Sequence, residues 1–516
     1  MLNRRRWLAP ARVAVSVVAA ATILGGGTAL AAGHGTVQGI SHRTPGGVPV
    51  PEIIGPVPET ASSYPFGRPP FSLAAYGYEE QEFFVKGAAN VYDYDSSGNV
   101  VIRYRDVPYE TRIVVYRPVD PARFSGTVLT EILNMTNNYD FPVIWAATHN
   151  EIMADSDVYV GVTSSPNAIA ALQKFDPVRY RDLSMAAPAG DACASPGLNS
   201  TAATEGGLVW DMLSQVGAAF ASHGRDNPLG GIHRPVRDYL SGYSQSGGYL
   251  LRYLNVINPV AHVYDGFLLG SGVGAPELGK CGRVIPQDSP LNVVRPTPQP
   301  VLTVNSQTDF RGFGAGTDAV LPRPDSDTPA DKYRLWQVPG SSHNWNYLNW
   351  FHPSPADLAK IGGAIPAYNC DITPGLSGNF PQQYPLDSAL ADLDTWARQG
   401  VAPPSASRIE IDAQGNTVLD HYGNAVGGMR TPFVDVPVAT YYPSSTSDNP
   451  AAAFGCRLYG HVVPLPAATL SQLYPNHITY VTDVYNDTEK LVTERFLTRT
   501  DATVIEDAAN LASIPG

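Results

Sequence analysis

The chain has 516 residues, 43% hydrophobic and 16% charged, which excludes a disordered or fibrous protein and allows one large core with an appendage. Its formal charge of −13 becomes −17 once Arg4, Arg5, Arg6 and Arg12 leave with an N-terminal leader, since 30 basic residues then face 47 acidic ones. A surface of that sign excludes nucleic acid and anionic membrane as partners.

Residues 1–31 read as a signal peptide, with a basic run Arg4-Arg5-Arg6, an apolar run from Val13 to Leu24, and a small-x-small cleavage site at Ala29-Leu30-Ala31. The expected destination is the cell envelope or the exterior, and the paired arginines leave the general and twin-arginine routes both open. No later segment is long and apolar enough to span a membrane as a helix. Residues 32–75, rich in Gly, Pro and Ser, are expected to form an irregular arm.

A catalytic domain is expected over residues 76–400. Strand-like runs come first at Gln81 to Val85, Val91 to Tyr94, Val100 to Tyr104 and Glu110 to Tyr116, an antiparallel start to a sheet. Then β-rich runs alternate with helix-length spacers: Gly126 to Leu133, Val158 to Val162, Val236 to Leu240, Gly266 to Leu269, Val301 to Val304, and Tyr333 to Val338. That alternation predicts a mostly parallel sheet with helices on both faces. Apolar stripes predict helices at Leu208 to Phe220 and Leu386 to Gln399, the second ended by Gly400. An insert between Ser164 and Gly206 and an extension over residues 401–516 lie outside that core, and both are expected to pack on it and shape a cleft.

Chemistry concentrates in three loops. Leu240-Ser241-Gly242-Tyr243-Ser244-Gln245-Ser246-Gly247-Gly248 reads as strand, sharp turn and helix, with Ser244 in the position of a nucleophile elbow. Asp309 follows the strand ending at Val304, and His343 follows the strand ending at Val338. In a parallel sheet both loops fall on the edge where ligands bind, and the order Ser, Asp, His is the one this architecture uses. A serine hydroxyl needs an imidazole to take its proton, and the imidazole needs a carboxylate to hold its tautomer. Asp265 is a competing acid, disfavoured because it precedes its strand and so sits on the opposite edge.

The oxyanion formed in such chemistry needs two N–H donors. Gln245 supplies one, and the loop Glu131-Ile132-Leu133-Asn134-Met135-Thr136-Asn137 the other, with Met135 preferred and Thr136 second. Asn134, Tyr243, Trp345 and Tyr347 are candidates for substrate contact, although the aromatic group Trp345, Tyr347, Trp350 and Phe351 reads more readily as core than as a pocket. Four separated cysteines, Cys193, Cys281, Cys370 and Cys456, without a C-x-x-C pair, suit two disulfides rather than a metal, and no cofactor is expected. Three pairings are compatible with the sequence; Cys193 with Cys281 and Cys370 with Cys456 would each staple a loop-rich insertion.

The chain resembles the secreted or cell-envelope alpha/beta hydrolase domain-containing family. The resemblance rests on Tyr78-Glu79-Glu80-Gln81-Glu82-Phe83-Phe84-Val85-Lys86-Gly87, Ile132-Leu133-Asn134, Asp176-Pro177-Val178-Arg179-Tyr180, the G-x-S-Q-S-G elbow, Gly340-Ser341-Ser342-His343, Gly427-Gly428-Met429-Arg430-Thr431-Pro432 and Val436-Pro437-Val438-Ala439. It implies an α/β-hydrolase fold, hydrolysis of a small-molecule or polymer carboxylic ester, and a nucleophile at the first elbow serine, Ser244 rather than Ser246. Where relatives carry Glu two residues before the acid, this chain has Gln307. Peptidase or acyltransferase chemistry on the same machinery, and ligand binding without turnover, are the alternatives.

Overall fold

The computed structural model describes residues 47–222, 227–229, 236–286, 288–310, 320–372, 375–377 and 380–514. The expected signal peptide and the first part of the expected arm lie outside the described residues.

A ten-stranded sheet forms the centre, from β1 (Glu52–Ile54), β2 (Tyr78–Tyr94), β3 (Val100–Pro118), β4 (Thr127–Ile132), β5 (Val158–Val162), β6 (Arg237–Tyr243), β7 (Gly266–Gly270), β8 (Val301–Ser306), β9 (Ser326–Thr328) and β10 (Asp331–Val338). Their order is β1-β2-β3-β5-β4-β6-β7-β8-β10-β9. The run from β5 to β10 is parallel, and β1, β2, β3 and β9 join antiparallel at the two ends. The central parallel strands are buried on both faces, as their Val- and Leu-rich runs require.

Helices cover both faces. On one, Val143–Asp155 packs against Gln383–Gln399, and the Tyr239 hydroxyl of β6 donates to Asp394 at 2.9 Å. Alternate residues of the strands meet Val209–Ala221 and Gln245–Arg252 on the other.

Several elements differ from the sequence reading. The first two strand-like runs are one strand, β2, bulged between Ala89 and Tyr92, and the next two are one strand, β3, despite a positive φ of 53° at Asp106. The register shift opposite Asn90 and Asp106 absorbs these two polar positions without ending either strand. The arm is not irregular throughout, because Glu52–Ile54 adds β1 to the edge of β2 with Glu52 opposite Lys86.

Two of the sequence motifs meet at one buried carboxylate. Glu82, only 1% exposed on β2, accepts Arg179 Nε at 2.6 Å and the Tyr180 hydroxyl at 2.8 Å. Arg112 of β3 approaches it at 3.4 Å. The insert is thereby tied to the sheet, and the disulfide Cys193–Cys281 ties it again to the loop after β7.

The extension returns to the core in stages. The Met429 N–H donates to the Gln337 carbonyl of β10 at 2.8 Å. A small sheet follows, built from β11 (Leu376–Ser377), β12 (Ala439–Tyr442) and β13 (His461–Pro464) in the order β11-β13-β12, with Cys370–Cys456 bonded beside it. Helices His477–Thr493 and Arg499–Leu511 then pair around a second core that includes Val484, Leu491, Ala502 and Ile505.

Three buried carboxyls, Asp157 at the foot of β5, Asp387 on the helix Gln383–Gln399 and Asp501 on Arg499–Leu511, and the half-buried Glu151 on Val143–Asp155 carry raised pKa values. Burial raises Glu151 to about 7, Asp157 to about 8 and Asp501 to about 6; burial together with the charges of Asp501 and Glu151 pushes Asp387 well above its ordinary value. Their folded-state values exceed the unfolded ones, so the native state binds more protons between about pH 4 and 8 and loses stability as pH rises through that window. The melting temperature is expected to be higher at pH 5 than at pH 8, and Asp387→Asn to raise it selectively at pH 8. Thermal melts of both proteins at the two pH values check this; a wild type more stable at pH 8 contradicts it.

Candidate active site

β6 ends at Tyr243 and the helix Gln245–Arg252 begins two residues later. The turn between them forces Ser244 to φ 59° and ψ −122°, a strained conformation that pushes its side chain off the chain path. The tightness explains the small neighbours. A Cβ at Gly242 would stand 2.5 Å from the Ser246 carbonyl oxygen. Ser246 is fully buried, and its hydroxyl accepts the Tyr243 N–H and donates to the Tyr243 carbonyl, each at 3.0 Å.

The parallel register aligns the two loops beyond. Ser306 at the end of β8 pairs with Val338 at the end of β10, so the segments carrying Asp309 and His343 leave the sheet side by side, next to the elbow's edge. His343 Nε2 lies 2.8 Å from Ser244 Oγ, and His343 Nδ1 lies 2.7 Å from Asp309 Oδ1. His343 is 2% and Asp309 1% exposed. Asp265, at the other edge, instead takes Arg237 Nη1 at 2.8 Å.

The acid is held by more than the histidine. Asp309 Oδ2 accepts the Ser306 hydroxyl at 2.6 Å and the Ser306 N–H at 3.1 Å. Burial works to raise this carboxyl, but the neighbouring imidazole and the hydrogen bonds from His343, Ser271 and Ser306 outweigh it and hold the group below its ordinary value. Ser271 and Ser306 were not singled out in the sequence, although the Ser-x-x-Asp spacing of Ser306 and Asp309 is a recognisable local turn signal.

On the other side of Ser244, Glu131 at the end of β4 accepts the N–H groups of Ile144 and Trp145 at 2.9 and 3.0 Å and the Tyr159 hydroxyl at 2.7 Å. This pins the following helix and fixes the intervening loop. Asn134 spans from that loop to the elbow: its Nδ2 donates to the Tyr243 carbonyl, and its Oδ1 accepts the Thr136 N–H, both at 3.0 Å. The Thr136 N–H is therefore engaged and cannot serve as the second oxyanion donor. The Met135 N–H has no acceptor among the described residues, and the Gln245 N–H opens a helix, where no earlier turn can pair it.

Of the expected substrate contacts, Asn134, Tyr243 and Trp345 are 5, 1 and 1% exposed, as deeply buried as His343 and Asp309. Tyr243 donates its hydroxyl to the His343 carbonyl at 2.7 Å, receives Gln382 Nε2 at 3.1 Å, and packs edge-on against Trp345. Tyr347 is half-buried, with its ring against His149 of the helix Val143–Asp155 and against its own neighbours Trp350 and Phe351. Among the described residues no group of three or more His, Cys, Asp or Glu is arranged to hold a metal, and no helix is long and apolar enough to cross a membrane.

A central parallel sheet with a serine on the strained turn after β6, beside loops that bring a histidine and a carboxylate to it, defines an α/β-hydrolase. The chain belongs to the family described as "Alpha/beta hydrolase domain", which matches residues 53–507. Among solved structures it is similar to a thermostable esterase from Pseudomonas putida, at 12% identity and a TM-score of 0.29, covering 57% of this chain and 82% of that one. It is also similar to an S-formylglutathione hydrolase from Agrobacterium tumefaciens, at 11% identity and a TM-score of 0.27, over 51% and 87% of the two chains. A dienelactone hydrolase from Anabaena variabilis is similar at 15% identity and a TM-score of 0.25, over 49% and 88%. No curated protein matches this chain.

Proposed function

We propose that the protein is an exported serine hydrolase that cleaves carboxylic esters through Ser244, His343 and Asp309. The observation that carries this reading is the unbroken hydrogen-bond path from Ser244 Oγ through both imidazole nitrogens to Asp309 Oδ1, at 2.8 and 2.7 Å. In that arrangement His343 Nε2 takes the serine proton as Oγ attacks the ester carbonyl, and Asp309 stabilises the imidazolium. The Met135 and Gln245 N–H groups receive the tetrahedral oxyanion. The imidazolium then protonates the departing alcohol, and water repeats the sequence on the acyl-enzyme.

The preference for esters over amides rests on the family resemblance of the elbow. Export is supported by the leader composition and by two disulfides, which persist in oxidising compartments. The domain reading places catalysis in residues 76–400 and assigns 401–516 a supporting role. Labelling of the purified protein by a fluorophosphonate probe, followed by rates on short-acyl and long-acyl esters beside peptides, tests the proposal. No labelling and no ester turnover would sink it; peptide cleavage outpacing ester cleavage would move it to the peptidase class.

Asn134→Ala tests the oxyanion reading. Removing the amide frees the loop from the Tyr243 carbonyl and lets the Met135 N–H drift, so kcat is expected to fall roughly 100-fold with KM little changed, the scale of losing one oxyanion donor. Steady-state kinetics on a single ester checks it, and a change confined to KM would assign Asn134 to substrate binding instead.

A further inference from the structure

The loop that carries Asp309 is anchored by a segment more than a hundred residues away. Thr308, 3% exposed, stands between Gln307 and the acid. Its hydroxyl oxygen accepts the His343 N–H at 3.1 Å and its O–H donates to the Pro443 carbonyl of the extension. Only a hydroxyl can accept and donate from one atom in this way. A second anchor lies on the far side of His343, where the Asn344 N–H donates to the Leu458 carbonyl at 2.8 Å and Asn344 bridges in parallel to Tyr459. The two anchors are joined to each other, because the Ser445 N–H donates to the Cys456 carbonyl at 3.0 Å and Cys456 is bonded to Cys370. The approach is close: a Cβ on Gly460 would stand 2.2 Å from the Tyr442 carbonyl and 3.1 Å from Ser342 Cβ.

We infer that the extension segment Pro443–Tyr459 is a strap that positions His343, acting through Thr308 on one side and Asn344 on the other, with Thr308 as the positioning residue. This rests on the reading of Ser244, His343 and Asp309 as a catalytic triad. The physical argument is geometric. His343 must present Nε2 to Ser244 and Nδ1 to Asp309 at once, so a rotation or shift of its backbone disturbs both bonds. Sheet register fixes where the loop starts, at Val338, but four residues, Pro339 to Ser342, separate that point from His343. The strap supplies the constraint at the residue itself and at its neighbour. In this reading the extension is part of the catalytic apparatus, and its disulfide holds the strap closed.

Thr308→Val and Thr308→Ser decide the matter in the full-length oxidised protein. Thr308→Val is expected to lower kcat and the rate of fluorophosphonate labelling roughly 10- to 100-fold, with KM within about twofold, the cost of a small misplacement of a reacting group. Thr308→Ser, which keeps the hydroxyl, is expected to restore kcat to within about threefold of wild type. A second readout is independent of turnover. The downfield imidazole N–H proton resonance of His343, identified by its absence in His343→Ala, is expected to shift or broaden in Thr308→Val and return in Thr308→Ser. If Thr308→Val does not fold, the paired replacement of Cys370 and Cys456 by Ser releases the strap from its other end and is expected to lower kcat with KM kept. Unchanged kcat and resonance in the folded variants overturn the inference. So does equal impairment of the Val and Ser variants with matching losses of melting temperature, which would mark Thr308 as merely structural. A wild type that neither labels nor turns over an ester overturns the esterase reading alone, because the resonance still responds to the strap.

Discussion

Ser244→Ala is expected to abolish fluorophosphonate labelling and to lower ester turnover by about six orders of magnitude, the scale on which removing the nucleophile acts in serine proteases. The fold should persist. Ser244 makes no hydrogen bond through Oγ other than that to His343 among the described residues, and alanine can occupy the same φ of 59° at a strain close to that of serine. Ser246→Ala is the matched control and should behave in the opposite way. Its hydroxyl is fully buried and bonds both backbone groups of Tyr243, so its loss leaves a buried N–H and carbonyl without that partner. A stability cost of about 1–3 kcal/mol follows, with labelling largely retained. Probe labelling, turnover and thermal melts on both variants separate a chemical role from a structural one. Labelling that survives in Ser244→Ala but vanishes in a folded Ser246→Ala would reverse the assignment of the two serines.

The three loops could be found in the sequence because a parallel sheet sends every strand's carboxyl end to the same edge. Once β6, β8 and β10 are recognised by their apolar runs, the positions of Ser244, Asp309 and His343 on one edge follow from topology alone. Local turn chemistry carried part of the rest, since Gly242 and Ser246 signal the tight elbow by their size. Contacts remote in sequence were not accessible by the same route. Nothing near Thr308 indicates that its hydroxyl meets Pro443, because that contact depends on how the extension threads back past β10. The choice between Met135 and Thr136 turned on the side-chain rotamer of Asn134, which no periodicity encodes. The aromatic residues after His343 illustrate the converse. Trp345 and Phe351 follow the composition of a pocket, yet burial of an indole and a phenyl ring is worth enough to draw them into the core, leaving Trp350 54% exposed.

Asp309→Asn is expected to reduce turnover by about four orders of magnitude while the protein remains folded. The direction of the effect follows from the partners of the carboxylate. Oδ2 receives two donors from Ser306, a hydroxyl at 2.6 Å and an N–H at 3.1 Å, so an amide placed here keeps its oxygen on that side. Its NH2 then faces His343 Nδ1, which must become the acceptor, and the imidazole proton moves to Nε2. In that tautomer Nε2 cannot take the Ser244 proton. The stability change has a sign that can be stated in advance. The Asp309 carboxyl is held below its ordinary value, so its ionised form stabilises the fold above the unfolded carboxylate pKa of about 4, and that contribution disappears as pH falls through the folded value. Asp309→Asn should therefore melt somewhat below wild type at pH 7 and approach it under acid conditions. Turnover of a single ester together with melts across pH measures both effects. Asp265→Asn, whose parent carboxylate is paired with Arg237 at the opposite edge, should leave turnover near wild type. Retention of more than about a tenth of wild-type turnover by Asp309→Asn, far above the four-order expectation, would mean that another group holds His343 in its working tautomer.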